Sequence, residues 1–122
     1  MKDRTTKARR IVRDRTRTHR AAARIRRRGV ASMATHAVAA GLPIREARTV
    51  ASSLRRNAAK AACDGMPGVS YAGKAKARAC TRYSRAEVAR AAALYKPRKP
   101  RYAEARNALV GAHRNHAIGL AA

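Results

Sequence analysis

Apolar residues recur at helical spacing from Val30 onward. Val30, Met33, Ala34, Ala37 and Val38 form one stripe, so a helix is predicted just after Gly29. Gly41 ends it in the manner of a C-terminal cap, and Pro43 suits the first turn of a second helix. Ile44, Ala47, Val50 or Ala51, Leu54 and Ala58 line the predicted buried face of that second helix, with Arg45, Arg48, Ser52, Arg55 and Arg56 opposite. Asp64-Gly65-Met66-Pro67-Gly68 breaks the pattern and predicts a loop. Tyr71 to Cys80 alternates Ala with Lys or Arg, which suits either a helical or a strand period and offers little bulk; a weak helix is predicted there. Ser84-Arg85-Ala86-Glu87 matches a capping box, followed at helical spacing by Val88, Ala91, Ala92 and Tyr95. Lys96 to Arg101, KPRKPR, stops that helix as a rigid basic linker, and a last helix from Tyr102 to His113 presents Tyr102, Arg106, Leu109, Val110 and His113 on one side. There is no internal repeat and no heptad.

Residues 1–28 lack such a face. Ile11, Val12 and Ile25 stand among 13 Lys and Arg and two acids, Asp3 and Asp14, a local net charge of +11. This predicts a basic arm, disordered alone and helical on a polyanion. Composition sharpens the picture, because Leu, Ile, Val and Phe make only 16 of 122 residues while Ala makes 31. A core so thin, under a net charge of +24, predicts that part of the chain orders only when its charge is neutralised. The larger aliphatics cluster between Val30 and Leu54, where the most self-sufficient folding is expected. The chain therefore divides into a basic arm (1–28), a helical core (29–63), a loop with a weak helix (64–82) and a C-terminal helical region (83–122).

Charge selects the partner. Each phosphate neutralised by a cationic side chain releases condensed counterions, so nucleic acid is the partner that +24 suits best, ahead of an anionic membrane or an acidic protein surface. Arginine outnumbers lysine 23 to 7, which fits GC-rich coding and also fits bidentate contact with phosphate and guanine. No apolar run reaches the ~18 residues of a membrane span, so no membrane insertion is expected. Val30 to Gly41 behind a basic leader mimics a signal peptide, but Ser32, Thr35 and His36 interrupt it. An Arg-rich start also suits a transit peptide, which would not explain Arg98 or Arg106.

Two helices that cross closely at a tight turn need a small residue in the first, a glycine four residues on, and apolar locks in the second. Ala37, Gly41, Leu42, Ala47 and Val50 hold those places. The segment Ala37 to Leu54, AVAAGLPIREARTVASSL, resembles the helix-turn-helix of bacterial and phage DNA-binding proteins, over 18 of 122 residues. The resemblance implies an all-α fold, namely a small helical helix-turn-helix domain with a basic N-terminal arm and a C-terminal helical pair. It also implies that the second helix enters the major groove with Pro43, Arg45, Glu46, Arg48, Thr49 and Ser52 outward. Arg45, Arg48 and Ser52 are then the base-reading candidates, and Arg55, Arg56 and Lys60 the phosphate contacts. Arg24, Arg26, Arg27 and Arg28 of the arm add backbone or minor-groove contacts. A second stretch, YSRAEVARAAALY at Tyr83 to Tyr95, resembles the opening helix of excisionase-type or MerR-like winged-helix domains, with KPRKP in place of the expected glycine turn. The Ala/Arg-rich style is similar to that of small proteins from actinobacterial phages and integrating elements.

The function expected is therefore duplex-DNA binding in control of transcription or recombination, in the bacterial cytoplasm with the nucleoid, and without a cofactor. RNA is the other nucleic acid to consider, and homodimerisation is common among such proteins although no seam is visible. Three alternatives stay open: a helical hairpin whose Gly-Leu-Pro turn is only a turn, a sequence-indifferent DNA-condensing or ribosome-like RNA binder, and a phage-type factor that grips an acidic host complex. Cys63 and Cys80 with His113 and His116 offer four zinc-ligand types, but structural zinc calls for cysteines in close pairs, so two free thiols are expected. His113-Arg114-Asn115-His116 superficially matches a metal nuclease, yet only six acids exist to serve such a site. No enzyme is predicted. Tyr71, Tyr83, Tyr95 and Tyr102, the only aromatics, supply either core area or stacking platforms for unpaired bases.

Overall fold

Ser32 decides where the first internal helix begins. Its hydroxyl accepts a hydrogen bond from the Thr35 amide at 3.3 Å, an N-cap that starts α2 (Met33–Ala39) at Met33. Val30, expected on that helix, falls instead in a two-residue strand, β1 (Val30–Ala31). The computed structural model describes the backbone of residues 2–70 and 76–121 and the side chains of 4–70 and 76–112. Around β1 and α2 lie α1 (Lys2–Arg28), α3 (Ile44–Lys60), β2 (Met66–Ser70), β3 (Arg78–Ser84), α4 (Arg85–Leu94) and α5 (Pro100–Ala121).

The chain is mostly helical but not all-α. The three strands form one antiparallel sheet in the order β1-β3-β2. β3 pairs with β1 through Val30 with Ser84 and Ala31 with Tyr83, and with β2 from Met66 opposite Arg82 to Ser70 opposite Arg78. The loop expected at 64–68 is thus the entry to a hairpin, and 78–80 of the expected weak helix is strand; 71–75, with Tyr71, lie outside the described residues. The strand period was present in β3, where Ala79, Thr81 and Tyr83 share one face and Arg78, Cys80 and Arg82 the other. Only Tyr83 on that first face is large enough to register as an apolar position, and it is buried.

The core is assembled from distant parts of the chain. Met33, Val50, Leu54 and Val88 are its largest fully buried side chains. Ala37, Ala47, Ala51, Ala58, Ala91 and Ala92 are completely buried and let α2, α3 and α4 approach closely. Ala21 joins from the end of α1, and Ala105 and Leu109 from α5. The buried face expected for α3 is observed, with both Val50 and Ala51 inside and Ile44 half-buried. Residues 2–28 of the segment 1–28, expected as a disordered arm, form α1; Ala21 and Ile25 anchor its end, whereas every side chain from Arg4 to Arg13 is exposed.

The expected capping box closes as written, and its carboxylate does more than cap. Ser84 Oγ accepts from the Glu87 amide at 3.3 Å and Glu87 Oε1 accepts from the Ser84 amide at 3.1 Å. Glu87 Oε2 also accepts from the Gly65 amide at 3.0 Å, tying the entry of the hairpin to α4. Gly65 has φ +69°, and a Cβ there would meet Thr81 Cγ2 at 2.6 Å, the Arg82 carbonyl oxygen at 2.9 Å and Tyr83 Cε1 at 2.9 Å. Gly65→Ala therefore combines a left-handed backbone with a main-chain clash and is expected to cost about 3 kcal/mol. Urea unfolding checks this, and a loss under ~1 kcal/mol would contradict the packing described.

At the other end, Arg106 Nε donates to the Ala92 carbonyl at 3.0 Å and its Nη2 to the Ala93 carbonyl at 3.3 Å. The Ala92 carbonyl also accepts the Tyr95 amide at 3.1 Å, so Arg106 takes up its second lone pair and bonds the Ala93 carbonyl beside it, holding α5 against the end of α4. α5 begins at Pro100, two residues before the expected start. The side chain of His113 lies outside the described residues.

His36 is the one buried polar residue of the described core, 2% exposed. Its Nε2–H donates to the Tyr83 carbonyl oxygen at 2.7 Å, which pins α2 to β3. Burial, the largest influence, holds the His36 pKa below its ordinary 6.5; the main-chain bond with Tyr83 opposes this, Arg85 adds to the lowering, and a bond with Ala31 opposes it again. The unfolded chain binds the proton first as pH falls, so this stability is complete above about pH 6.5 and is lost as pH drops towards and through the folded value. Thermal melts from pH 8 to 5 should fall more steeply for the natural protein than for His36→Gln. Parallel curves would show that His36 is not the group responsible.

Candidate nucleic-acid interface

α2 and α3 are joined by Ala40 to Pro43, and the turn depends on Gly41 at φ +105°, a conformation that side chains resist. Leu42, just after it, is buried and anchors the turn to the core. Its amide and that of Gly41 donate to the Ala37 and Val38 carbonyls, closing α2. Pro43 serves as N-cap residue rather than first-turn residue, and α3 starts at Ile44.

The outer side of α3 is a cationic face. Arg45, Arg48, Ser52, Arg55 and Arg56 follow at spacings of three and four and, with Thr49 and Lys60, are all exposed. All the residues expected to read bases or hold phosphate on α3 are therefore brought to one surface. Ser52 Oγ donates to the Arg48 carbonyl at 3.3 Å and accepts from Arg55 Nη2 at 3.4 Å, while Ser53 Oγ accepts from Arg56 Nη2 at 3.3 Å. These bonds hold the Arg55 and Arg56 guanidiniums beside serines one turn earlier on α3.

Glu46, expected to face outward, is held at the flank of this face. Its Oε1 accepts from Arg101 Nη2 at 2.7 Å, so the start of α5 neutralises the only acid of α3. Glu46 Oε2 is buried without a partner, which makes loss of Arg101 more costly than an exposed ion pair would be.

The hairpin adds a second cationic element that the sequence reading missed. Arg78 is exposed on β3, and Arg82 lies across β2, its Nη2 donating to the Val69 carbonyl at 3.0 Å. Strand alternation along β3 was the signal available, masked by its small side chains. Arg24, Arg26, Arg27 and Arg28 are all exposed at the end of α1, with Arg24 and Arg28 turned towards β1 and the hairpin.

The remaining candidates disperse. Cys63 is buried in the core and Cys80 half-buried on β3, both as free thiols, and no group of three metal-ligating side chains occurs among the described residues. His113 and His116 lie outside the described side chains. Tyr83 is core, Tyr95 and Tyr102 are half-buried against it, and Lys99 Nζ stands 5.4 Å from the Tyr102 ring centroid. No helix among the described residues is long and apolar enough to cross a membrane. Comparison with protein-family models, with curated proteins and with solved structures found no match for the chain.

Proposed function

We propose that this chain is a duplex-DNA-binding protein that lays α3 in the major groove and rests its β2–β3 hairpin and the end of α1 on the flanking backbone. The observation that carries this reading is the α3 face, where Arg45, Arg48 and Ser52 stand exposed on a helix whose preceding turn is anchored by buried Leu42, with its one acid neutralised from α5. Arg45 and Arg48 present bidentate donors to guanine edges, and Ser52, whose proton goes to the Arg48 carbonyl, keeps a lone pair to accept beside them. Arg55, Arg56 and Lys60, further along the helix, hold phosphates. The hairpin following α3 serves as the element that rests on the backbone beside the groove. The role is occupancy of a site in control of transcription or recombination, not catalysis.

Selection of genomic fragments against excess random duplex tests it. Arg45→Ala and Arg48→Ala should each weaken the selected site by about 10- to 100-fold, the worth of a bidentate base contact, and random duplex far less. Equal losses on both would overturn base reading by α3. A second reading, sequence-indifferent binding to DNA or RNA, draws on α1, whose exposed arginines from Arg4 to Arg13 extend beyond the packed core. Fragment recovery without a motif would favour it.

A further inference from the structure

Where α1, the start of α2 and the hairpin meet, a cleft of about 120 Å³ opens between Arg24, Arg28, Ser32, Thr35, Ser70 and Arg82. We propose that this cleft seats one phosphate of a nucleic-acid backbone, an inference that rests on the nucleic-acid reading above and names the seat that the end of α1 and the hairpin form together. Three arginines line it, and among the described residues no carboxylate lines it and none of the three is paired with one. Such a concentration of unneutralised charge is held together at a cost that an oxyanion removes.

The donors are prepared rather than merely present. Ser32 Oγ and Thr35 Oγ1 lie 2.9 Å apart, and that bond uses one hydroxyl proton, so whichever group donates, the other hydroxyl keeps a proton for a ligand. Ser70 adds a third hydroxyl from the edge of β2. Arg82 is fixed by its bond to the Val69 carbonyl and by lying flat on Gly68, where a Cβ would come within 3.0–3.3 Å of Nη1, Cζ and Nε. Only one of its five N–H donors is used in that bond, so the fork remains available. The cleft is far larger than the ~10–15 Å³ that a single water needs by this measure, so a tetrahedral oxyanion has room in it.

Continuity points to a polymer as the source. A second groove, about 240 Å³, shares Arg24 and Thr35 with the cleft and runs past Arg20 and Arg17 to Ile44 in the first turn of α3. Those arginines extend a ridge, Arg10, Arg13, Arg17, Arg20, Arg24 and Arg28, at spacings of three and four along one side of α1. The ridge spans about 27 Å at 1.5 Å per residue, the reach of a strand rather than of a single ion.

Cys80 lines the same cleft and supplies a native reporter. Its alkylation rate in the full chain, read by peptide mapping, is measured against inorganic phosphate, dimethyl phosphate and chloride at matched ionic strength. Protection by both phosphate probes is expected; protection by inorganic phosphate alone would overturn a backbone source in favour of a terminal or free phosphate, and protection by neither would overturn the seat. Arg82→Gln should reduce phosphate affinity at least tenfold, while Arg98→Gln, an equal loss of charge at an exposed position of the linker, should change it less than twofold. Gly68→Ala keeps the net charge and displaces the Arg82 guanidinium, so it should lower phosphate affinity severalfold with the fold intact by circular dichroism. With random duplex, Arg82→Gln should reduce the slope of log affinity against log salt by about one. Equal effects of Arg82→Gln and Arg98→Gln would reduce the cleft to part of a general field and overturn it. Cys80 protection by phosphate in a chain that binds no duplex would leave the seat standing and remove its nucleic-acid occupant, whereas normal duplex binding without protection would do the reverse.

Discussion

Leu54→Ala is expected to cost about 4 kcal/mol, in the upper part of the range for buried leucines. Leu54 is fully buried on α3, in a core shared with α2 and α4. The usual relief after such a truncation is for neighbouring side chains to swing into the space. Here Ala37, Ala47, Ala51, Ala58, Ala91 and Ala92 supply much of that core, and alanine has no rotamers to swing. The cavity stays open, and the full dispersion and transfer losses are felt. Domains of this size are stable by only about 5–15 kcal/mol, so the variant should melt well below the natural protein. Leu94→Ala, at a side chain 48% exposed, should change stability by no more than about 1 kcal/mol and serves as the control. Similar losses at both positions by urea unfolding would contradict the core described.

Affinity for random duplex should fall by about 10³-fold or more between 50 and 200 mM salt, as expected for six or more phosphate contacts. The α3 face, the hairpin and the α1 ridge together present more than that number of exposed arginines and lysines. The net charge of +24 makes the effect large on its own account, and the geometry sharpens it by collecting the cations along continuous surfaces. Fluorescence anisotropy over that salt range is the measurement. A slope of log affinity against log salt shallower than about −3 would mean that few phosphates are engaged, and the charge would then belong to an acidic protein partner.

Much of the helical architecture was legible because its signals are local. The stripe of α3, the capping box at Ser84 to Glu87 and the glycine at 41 each act within one or two turns, so their residues announce them in order. The candidate face on α3 was legible for the same reason, since burying Ala47, Val50, Leu54 and Ala58 turns Arg45, Arg48, Ser52, Arg55 and Arg56 outward. Where alanine replaces bulky side chains, periodicity weakens, and this hid the hairpin. β3 alternates correctly, but Ala79 and Thr81 carry too little apolar area to distinguish a strand from a helix. The end of α1 was read as part of an arm because Ala21 and Ile25 are few among arginines, although two well-placed contacts join it to the core.

What the sequence by itself determined is the charge, the scarcity of bulky core residues, the turn at Gly41 and the outward face of α3, because charge adds regardless of fold and helical period acts over neighbouring residues. Only the tertiary structure decided the sheet, the neutralisation of Glu46 by Arg101, the bond from His36 to Tyr83, and the meeting of Arg24, Arg28 and Arg82 around one cleft. Each of these joins side chains or backbone groups from different elements, 47 residues apart in the case of His36 and Tyr83. Contacts of that kind follow from how whole elements pack, which no local spacing encodes.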